Sequence, residues 1–145
     1  MKCTVTIDKN REEEVLIFAH EKTTLVDKIE NLVLTKSLEL IGYNDKSIIK
    51  LSPLNIFCFV VENNKIYALT KNEKIQLKQR LYELEAILDE SFVKINQSCI
   101  VNIKMIERFN VSFAGALLVV LKNGYKDYVS RRQLKIVKER IGLKK

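Results

Sequence analysis

The chain has 145 residues, enough for one domain with a real core and too few for two ordinary ones. With 47% apolar and 30% charged residues it is globular in composition rather than disordered. Its net charge of +7 is unevenly held: residues 91–145 carry 12 Lys or Arg against 3 Asp or Glu, and residues 1–90 carry 13 against 15. A strongly basic half favours a polyanionic partner.

Cys3 to Ile7 alternates in polarity and predicts a short strand. After a turn at Asp8–Asn10, apolar residues from Glu12 to about Leu34 fall near helical spacing, with Thr23 and Thr24 as a weak point that divides the helix. From Ser37 the period changes to that of strands: Leu38 to Tyr43 and Ser47 to Leu51 flank the Asn44–Asp45 turn. Pro53, the single proline, belongs outside a central strand because it cannot donate a ladder hydrogen bond. Ile56 to Val61 and Lys65 to Thr70 are strands joined by a turn at residues 62–65, and Ile75 to Leu77 is a further short strand. Leu77, Leu81, Leu84 and Leu88 then form an apolar stripe, predicting a helix over about Lys78 to Leu88.

Phe92 to Ile95, Cys99 to Val101, Ile106 to Phe113, Leu117 to Leu121 and Tyr125 to Val129 read as strands. Asn123–Gly124 is a hairpin signal with two residues tolerant of positive φ. Phe92, Phe109, Phe113, Tyr125 and Tyr128 all lie in apolar patterns and are expected in the core. Ser130 and Gln133 form a candidate capping box for a last helix from Arg131 to about Ile141, with Gly142 as its C′ residue.

Enzyme chemistry has little material here. Neither phosphate-cradling glycine motif is present, nor HExxH, nor GxSxG. His20 is the sole histidine, and the three cysteines, Cys3, Cys58 and Cys99, are odd in number and widely spaced. A disulfide framework, a metal site and a bound cofactor are therefore not expected. The longest apolar runs are far shorter than the ~20 residues that span a bilayer. The N-terminus has no apolar signal segment, so the expected location is cytoplasmic.

The stretch FVKINQSCIVNIKMIERF, Phe92 to Phe109, holds an aromatic and a basic residue (Phe92, Lys94) and a polar triplet ending in serine (Asn96–Gln97–Ser98). An apolar pair (Ile100–Val101), Asn102 and a later apolar anchor (Ile106) follow. A leucine-rich helix precedes it, and a strand, Ser130–Arg131–Arg132 and a short helix close the chain. In this order and spacing, residues 37–143 resemble the LytTR DNA-binding domain family, in its stand-alone class without a receiver domain. The resemblance implies a mainly β fold with accessory helices (α+β), in which small antiparallel sheets, three in number, stack end to end. It divides the chain into an N-terminal strand-helix extension, residues 1–36, and a DNA-binding domain, residues 37–145.

The resemblance also implies a sequence-specific transcription regulator whose loops enter the major groove of duplex DNA. By alignment the base-reading positions fall on Asn64 or Lys65, on Asn96 or Gln97, and on Arg132. Asn and Gln can bridge adenine, and Arg can fork onto guanine. Lys94, Lys104, Lys122, Lys126, Arg131 and Lys135 are candidate phosphate contacts, and Asn102 reads as structural. The implied partners are double-stranded DNA with tandem short repeats in a promoter, a membrane-protein regulator, and a second copy in a homodimer on DNA. The alternative function is a basic protein-interaction or membrane-surface adaptor without sequence-specific DNA binding.

Overall fold

In a computed structural model, which describes residues 1–35 and 39–142, the chain divides into two compact units, residues 1–37 and 38–145. The expected boundary between residues 36 and 37, and the expected strand start at Leu38, lie outside the described residues.

The first unit holds one regular element, α1 (Thr24–Thr35). Thr23 is its cap: the Thr23 Oγ1 accepts from the Val26 N–H at 3.3 Å and the Thr23 carbonyl from the Asp27 N–H at 3.1 Å. The weak point at Thr23–Thr24 is thus where the helix begins. The expected turns from Glu12 to Lys22 are not helical, and Cys3 to Ile7 forms no strand. The reasons are local. Val15 to Ala19 is a run of apolar residues with no single face, and a short helix is marginal without a packed stripe. A lone alternating segment without a hydrogen-bonded neighbour does not hold as a strand.

The second unit contains β1 (Leu40–Asn44), β2 (Ser47–Leu51), β3 (Cys58–Glu62), β4 (Lys65–Leu69), β5 (Lys74–Leu77), α2 (Leu81–Ile87), β6 (Phe92–Asn96), β7 (Cys99–Asn102), β8 (Ile106–Val111), β9 (Leu117–Leu121), β10 (Lys126–Tyr128) and α3 (Arg131–Arg140). Pro53 opens a single 3-10 turn, Pro53–Asn55, outside the strands. Pairing is antiparallel throughout, in a seven-stranded sheet ordered β2-β1-β5-β4-β3-β7-β6 and a three-stranded sheet ordered β10-β9-β8.

Three small sheets were expected and two are hydrogen-bonded. The β1–β2 hairpin joins the central sheet through only two residue pairs, Gly42↔Leu77 and Tyr43↔Gln76. That joint needs glycine, because a Cβ on Gly42 would lie 2.3 Å from Ile75 Cγ2 and 3.0 Å from Leu51 Cδ1. Leu77 ends β5, pairing with Ile66 and Gly42, whereas the helix expected from about Lys78 begins at Leu81; Leu77, Leu81 and Leu84 share one core.

Strand alternation sends successive side chains to opposite faces of the central sheet, and both faces are buried. On β3, Phe59 enters one core with Leu40, Ile56, Leu84, Phe92 and Ile100, whereas Cys58 and Val60 enter another with Ile95, Val101, Val119 and Val137. The first core is closed by α2, the second by the small sheet and α3. Cys58 and Cys99 are free thiols inside the second core. A hydrogen bond with Cys58, reinforced by burial, pushes the Cys99 thiol up, so the pair behaves as small apolar residues rather than as nucleophiles.

Expectations for turns and aromatics differ in detail. The hairpin with two positive-φ residues is Asn63–Asn64, at φ 50° and 64°, the pattern of a type I′ turn. At Asn123–Gly124 only Gly124 has positive φ. There the Asn123 amide donates to the Thr70 carbonyl at 3.1 Å and its oxygen accepts from the Tyr125 N–H at 3.1 Å. Ser130 starts α3 without a side-chain cap, its carbonyl accepting from the Gln133 N–H at 3.1 Å, so the expected capping box is not made. Gly142 ends the helix with φ 85°. Phe92 is buried, but Tyr128 is 55% exposed and Phe113 fully so. Phe113 lies beyond the end of β8, in a tip that no neighbouring strand covers.

Candidate nucleic-acid interface

Strand pairing decides which loops share an end of the second unit. Strand β3 runs toward the Asn63–Asn64 tip and β7 runs away from the Gln97–Ser98 turn. They pair with Val60 opposite Cys99, and the Val61 N–H donates to the Ser98 carbonyl at 2.9 Å. The two turns are therefore side by side. On the far side of β7, β6 rises to Asn96. The Ser130 N–H donates to the Ile95 carbonyl at 2.8 Å, which brings the start of α3 to the same end. Three loops thus emerge together: the β3–β4 tip, the β6–β7 turn and the junction of β10 with α3.

Of the expected base-reading residues, Asn64 and Lys65 are exposed at the first of these loops. Asn64 has a backbone reason to be there, since asparagine tolerates the left-handed conformation of the turn. Asn96 has a structural task. Its amide donates to Asp127 Oδ2 at 3.0 Å and to the Tyr128 carbonyl at 2.9 Å, and its oxygen accepts from the Ser98 N–H at 2.8 Å. Gln97 is exposed and makes no such bond among the described residues. Arg132 is exposed in the first turn of α3 and has no hydrogen-bond or ion-pair partner among the described residues.

This difference is testable. Asn96→Ala removes the bracket between β6 and β10 and is expected to lower unfolding free energy by about 1–2 kcal/mol, whereas Gln97→Ala stays within about 0.5 kcal/mol of the parent. Urea unfolding of the two variants measures both. Equal stabilities would mean that the Asn96 bonds do not hold the loops together.

The charge at this end is one-sided. Arg131, Arg132, Lys135 and Lys65 are exposed there, Lys126 is exposed farther along β10 opposite Val120, and none of the five has an ion-pair partner among the described residues. The nearby acids are engaged: Glu62 pairs with Lys74, and Asp127 accepts from Asn96 and from its neighbour's N–H. Two arginines at a helix N-terminus face the positive end of the dipole, and no carboxylate among the described residues pairs with either. An anion from outside would.

The remaining cations are elsewhere. Lys94 lies in a cleft of about 350 Å³ among Glu85, Asp89 and Glu90, beneath α3. There Arg140 donates to the carbonyls of Glu90 and Phe92 at 2.5 and 3.0 Å, pinning α3 along the edge of β6. Lys104 and Lys122 are at the opposite end of the sheet. Lys104 follows β7 and Asn102, and the Lys122 N–H donates to the Met105 carbonyl at 2.9 Å. Asn102 itself is buried: its amide donates to the Ile56 carbonyl at 3.0 Å and its oxygen accepts from the Lys104 N–H at 3.1 Å.

The family model described as the LytTr DNA-binding domain matches residues 46–142. An uncharacterized HTH-type transcriptional regulator of Staphylococcus aureus strain NCTC 8325 is 38% identical over 146 residues, covering 99% of both chains, and counterparts in strains N315 and Mu50 match equally. Although those relatives are named for a helix-turn-helix, α2 and α3 of this chain are separated by five strands, β6 to β10. Among solved structures, the LytTr DNA-binding domain of a protein named as a methyl-accepting/DNA response regulator from Bacillus cereus superposes with TM-score 0.67 at 19% identity. It covers 72% of this chain and 96% of that one. The chain belongs to the LytTR family and carries that family's DNA-binding domain over residues 46–142.

Proposed function

We propose that this protein is a cytoplasmic transcription regulator that recognises a specific duplex DNA sequence, presenting its three neighbouring loops to the major groove. Residues 37–145 act as the DNA-binding domain and residues 1–36 as an extension. The observation that carries this reading is the convergence of those loops at one end, held by the Val61–Ser98 and Ser130–Ile95 hydrogen bonds, with Arg131 and Arg132, which have no ion-pair partner among the described residues, beside them. In this reading Arg132 forks onto a guanine, Gln97 and Asn64 or Lys65 read the other two loops' base pairs, and Lys126, Arg131 and Lys135 hold phosphates. Lys94, Lys104 and Lys122 have no part in the contact, because their environments point away from this end. One small domain reads few base pairs, so the natural site consists of two short elements in tandem.

The test is a titration against a duplex selected from genomic fragments, single-base variants of it, and random duplex. Arg132→Ala is expected to lose about 1–3 kcal/mol on the selected site and to relax the preference at one base pair. Arg132→Lys restores it only in part, because an ammonium lacks the planar fork. Lys126→Ala weakens all the duplexes about equally and makes the salt dependence shallower by about one unit. Uniform weakening by Arg132→Ala would reduce that residue to a phosphate contact. Equal affinity of the parent protein for every duplex, and for anionic vesicles, would favour the adaptor reading.

A further inference from the structure

The tip of the β8–β9 hairpin, Ser112 to Ala116, is a hydrogen-bonded turn that ends in an exposed apolar side chain. The Gly115 N–H donates to the Ser112 carbonyl at 3.0 Å, the Ser112 N–H to the Ala116 carbonyl at 3.0 Å, and the Ala116 N–H to Ser112 Oγ at 3.1 Å. Gly115 takes the positive φ, 80°, that lets the turn close. Phe113 stands at its apex, fully exposed, with Val111 72% exposed below it. A single exposed aromatic is unremarkable on a protein surface. Here its position gives it meaning.

The register of the small sheet fixes that position. Val111 pairs with Leu117 and Leu118 with Tyr128, and the Val129 N–H donates to the Leu117 carbonyl at 2.9 Å. Val129 adjoins Ser130, which is bonded to Ile95. The β8–β9 tip therefore extends toward the same end as the three loops assigned to DNA. It lies two strands from β10, or roughly 10 Å at the usual strand spacing. Farther from the tip, three residues along β9 from Leu117, Arg108 and Lys126 flank Val120, and Arg108 pairs with Glu107.

We propose that this tip is a fourth DNA-contacting element, with Phe113 making an apolar contact with thymine methyl groups in the major groove. The inference rests on the DNA-binding reading above. A two-stranded ribbon fits the major groove, and phenylalanine against the thymine methyl is an apolar form of base readout. The exposed Arg131 and Arg132 at the neighbouring start of α3, with no ion-pair partner among the described residues, favour a polyanion over an apolar protein surface as the neighbour of this end. The contact adds a preference for A·T pairs at one flank of the site, outside the pairs reached by Gln97 and Arg132.

The experiment uses the full chain, a labelled duplex carrying the selected site, and the same duplex with every thymine of the site and its flanks replaced by deoxyuridine, which removes only the methyl groups. The parent chain is expected to bind the deoxyuridine duplex about 5- to 10-fold more weakly than the thymine duplex. Phe113→Ala is expected to lose a similar factor on thymine DNA and to show no further loss on deoxyuridine DNA. Its melting temperature should equal the parent's, since the side chain makes no buried contact. If the parent prefers its selected site and Phe113→Ala binds both duplexes as the parent does, the inference is overturned and the three-loop reading stands. If Phe113→Ala alters only the cooperativity on a two-element site, with unchanged affinity for a single element, the tip contacts a second copy and the inference is again overturned. If the parent prefers no duplex, the DNA-binding reading fails and the inference with it.

Discussion

Phe59→Ala is expected to lower the unfolding free energy of the DNA-binding domain by about 3–5 kcal/mol. Phe59 lies at the middle of β3, fully buried, between Ala68 on β4 and Ile100 on β7. Its ring centroid is 5.7 Å from that of Phe92 at a tilt of 49°, an arrangement that adds to the area it buries. Truncation leaves a cavity beneath α2 that three strands cannot close, because each is held from both sides in the sheet. For a domain of this size each kcal/mol moves the melting temperature by about 4 °C, so the variant should melt at least about 10 °C below the parent. Saturating specific DNA should recover part of that loss, since binding to the folded form alone stabilises it by mass action. A loss under about 1 kcal/mol would show that the core relaxes around the gap, contrary to the two-faced packing described here.

The strands of this domain were legible because their residues obey a period of two, bounded by turns of recognisable chemistry, and the described strands fall within a few residues of the expected ones. The extension was less legible. Spacing near 3.6 from Glu12 onward looked helical, but the apolar residues at 15–19 are consecutive and supply no stripe, and only the part beyond the Thr23 cap is helix. The leucine stripe also left the start of α2 loose: the helix expected from about Lys78 begins at Leu81. A leucine four residues before Leu81 fits a helix as well as it fits the last residue of a strand, and only pairing with Gly42 and Ile66 separates the two.

At the candidate site, the sequence could rank residue types but not their competitors. Asn96 and Gln97 are equally able to read adenine; the difference is that Asp127 and Tyr128, some thirty residues later, claim the Asn96 amide. The same holds for cations. Lys94, Lys104 and Lys122 are as basic as Lys126, but their separation into an acidic cleft and the opposite sheet end depends on long-range pairing. Phe113 was placed in the core because it extends an apolar strand pattern. The signal available in the sequence was Ser112 followed by Gly115, residues more typical of a turn than of a strand interior.

Asn102 is expected to be the costliest polar residue to replace. It is buried at the foot of β7, where its backbone N–H donates to the Phe57 carbonyl at 2.8 Å while its side chain bonds both the Ile56 carbonyl and the Lys104 N–H. Asn102→Ala strands the buried Ile56 acceptor and uncaps the 3-10 turn that follows, Ile103–Met105, at about 2–4 kcal/mol in total. Asn102→Asp separates the two bonds by pH. A carboxylate still accepts from Lys104 but sets a negative oxygen against the Ile56 carbonyl, and only its protonated form donates there. Its folded-state pKa is therefore raised above the unfolded value of about 3.9. A raised carboxyl pKa contributes stability below the unfolded value and loses it as pH rises through the window up to the folded value, by as much as about 1.4 kcal/mol per pH unit. Urea midpoints of this variant relative to the parent should thus fall from pH 4 upward, while Asn102→Ala shows a pH-independent deficit. A flat difference for Asn102→Asp would mean that water reaches the site and the amide is not the staple inferred from its burial. Because Asn102 lies at the end of the sheet opposite the three loops, whatever fraction of either variant remains folded should bind the selected DNA with the parent's affinity.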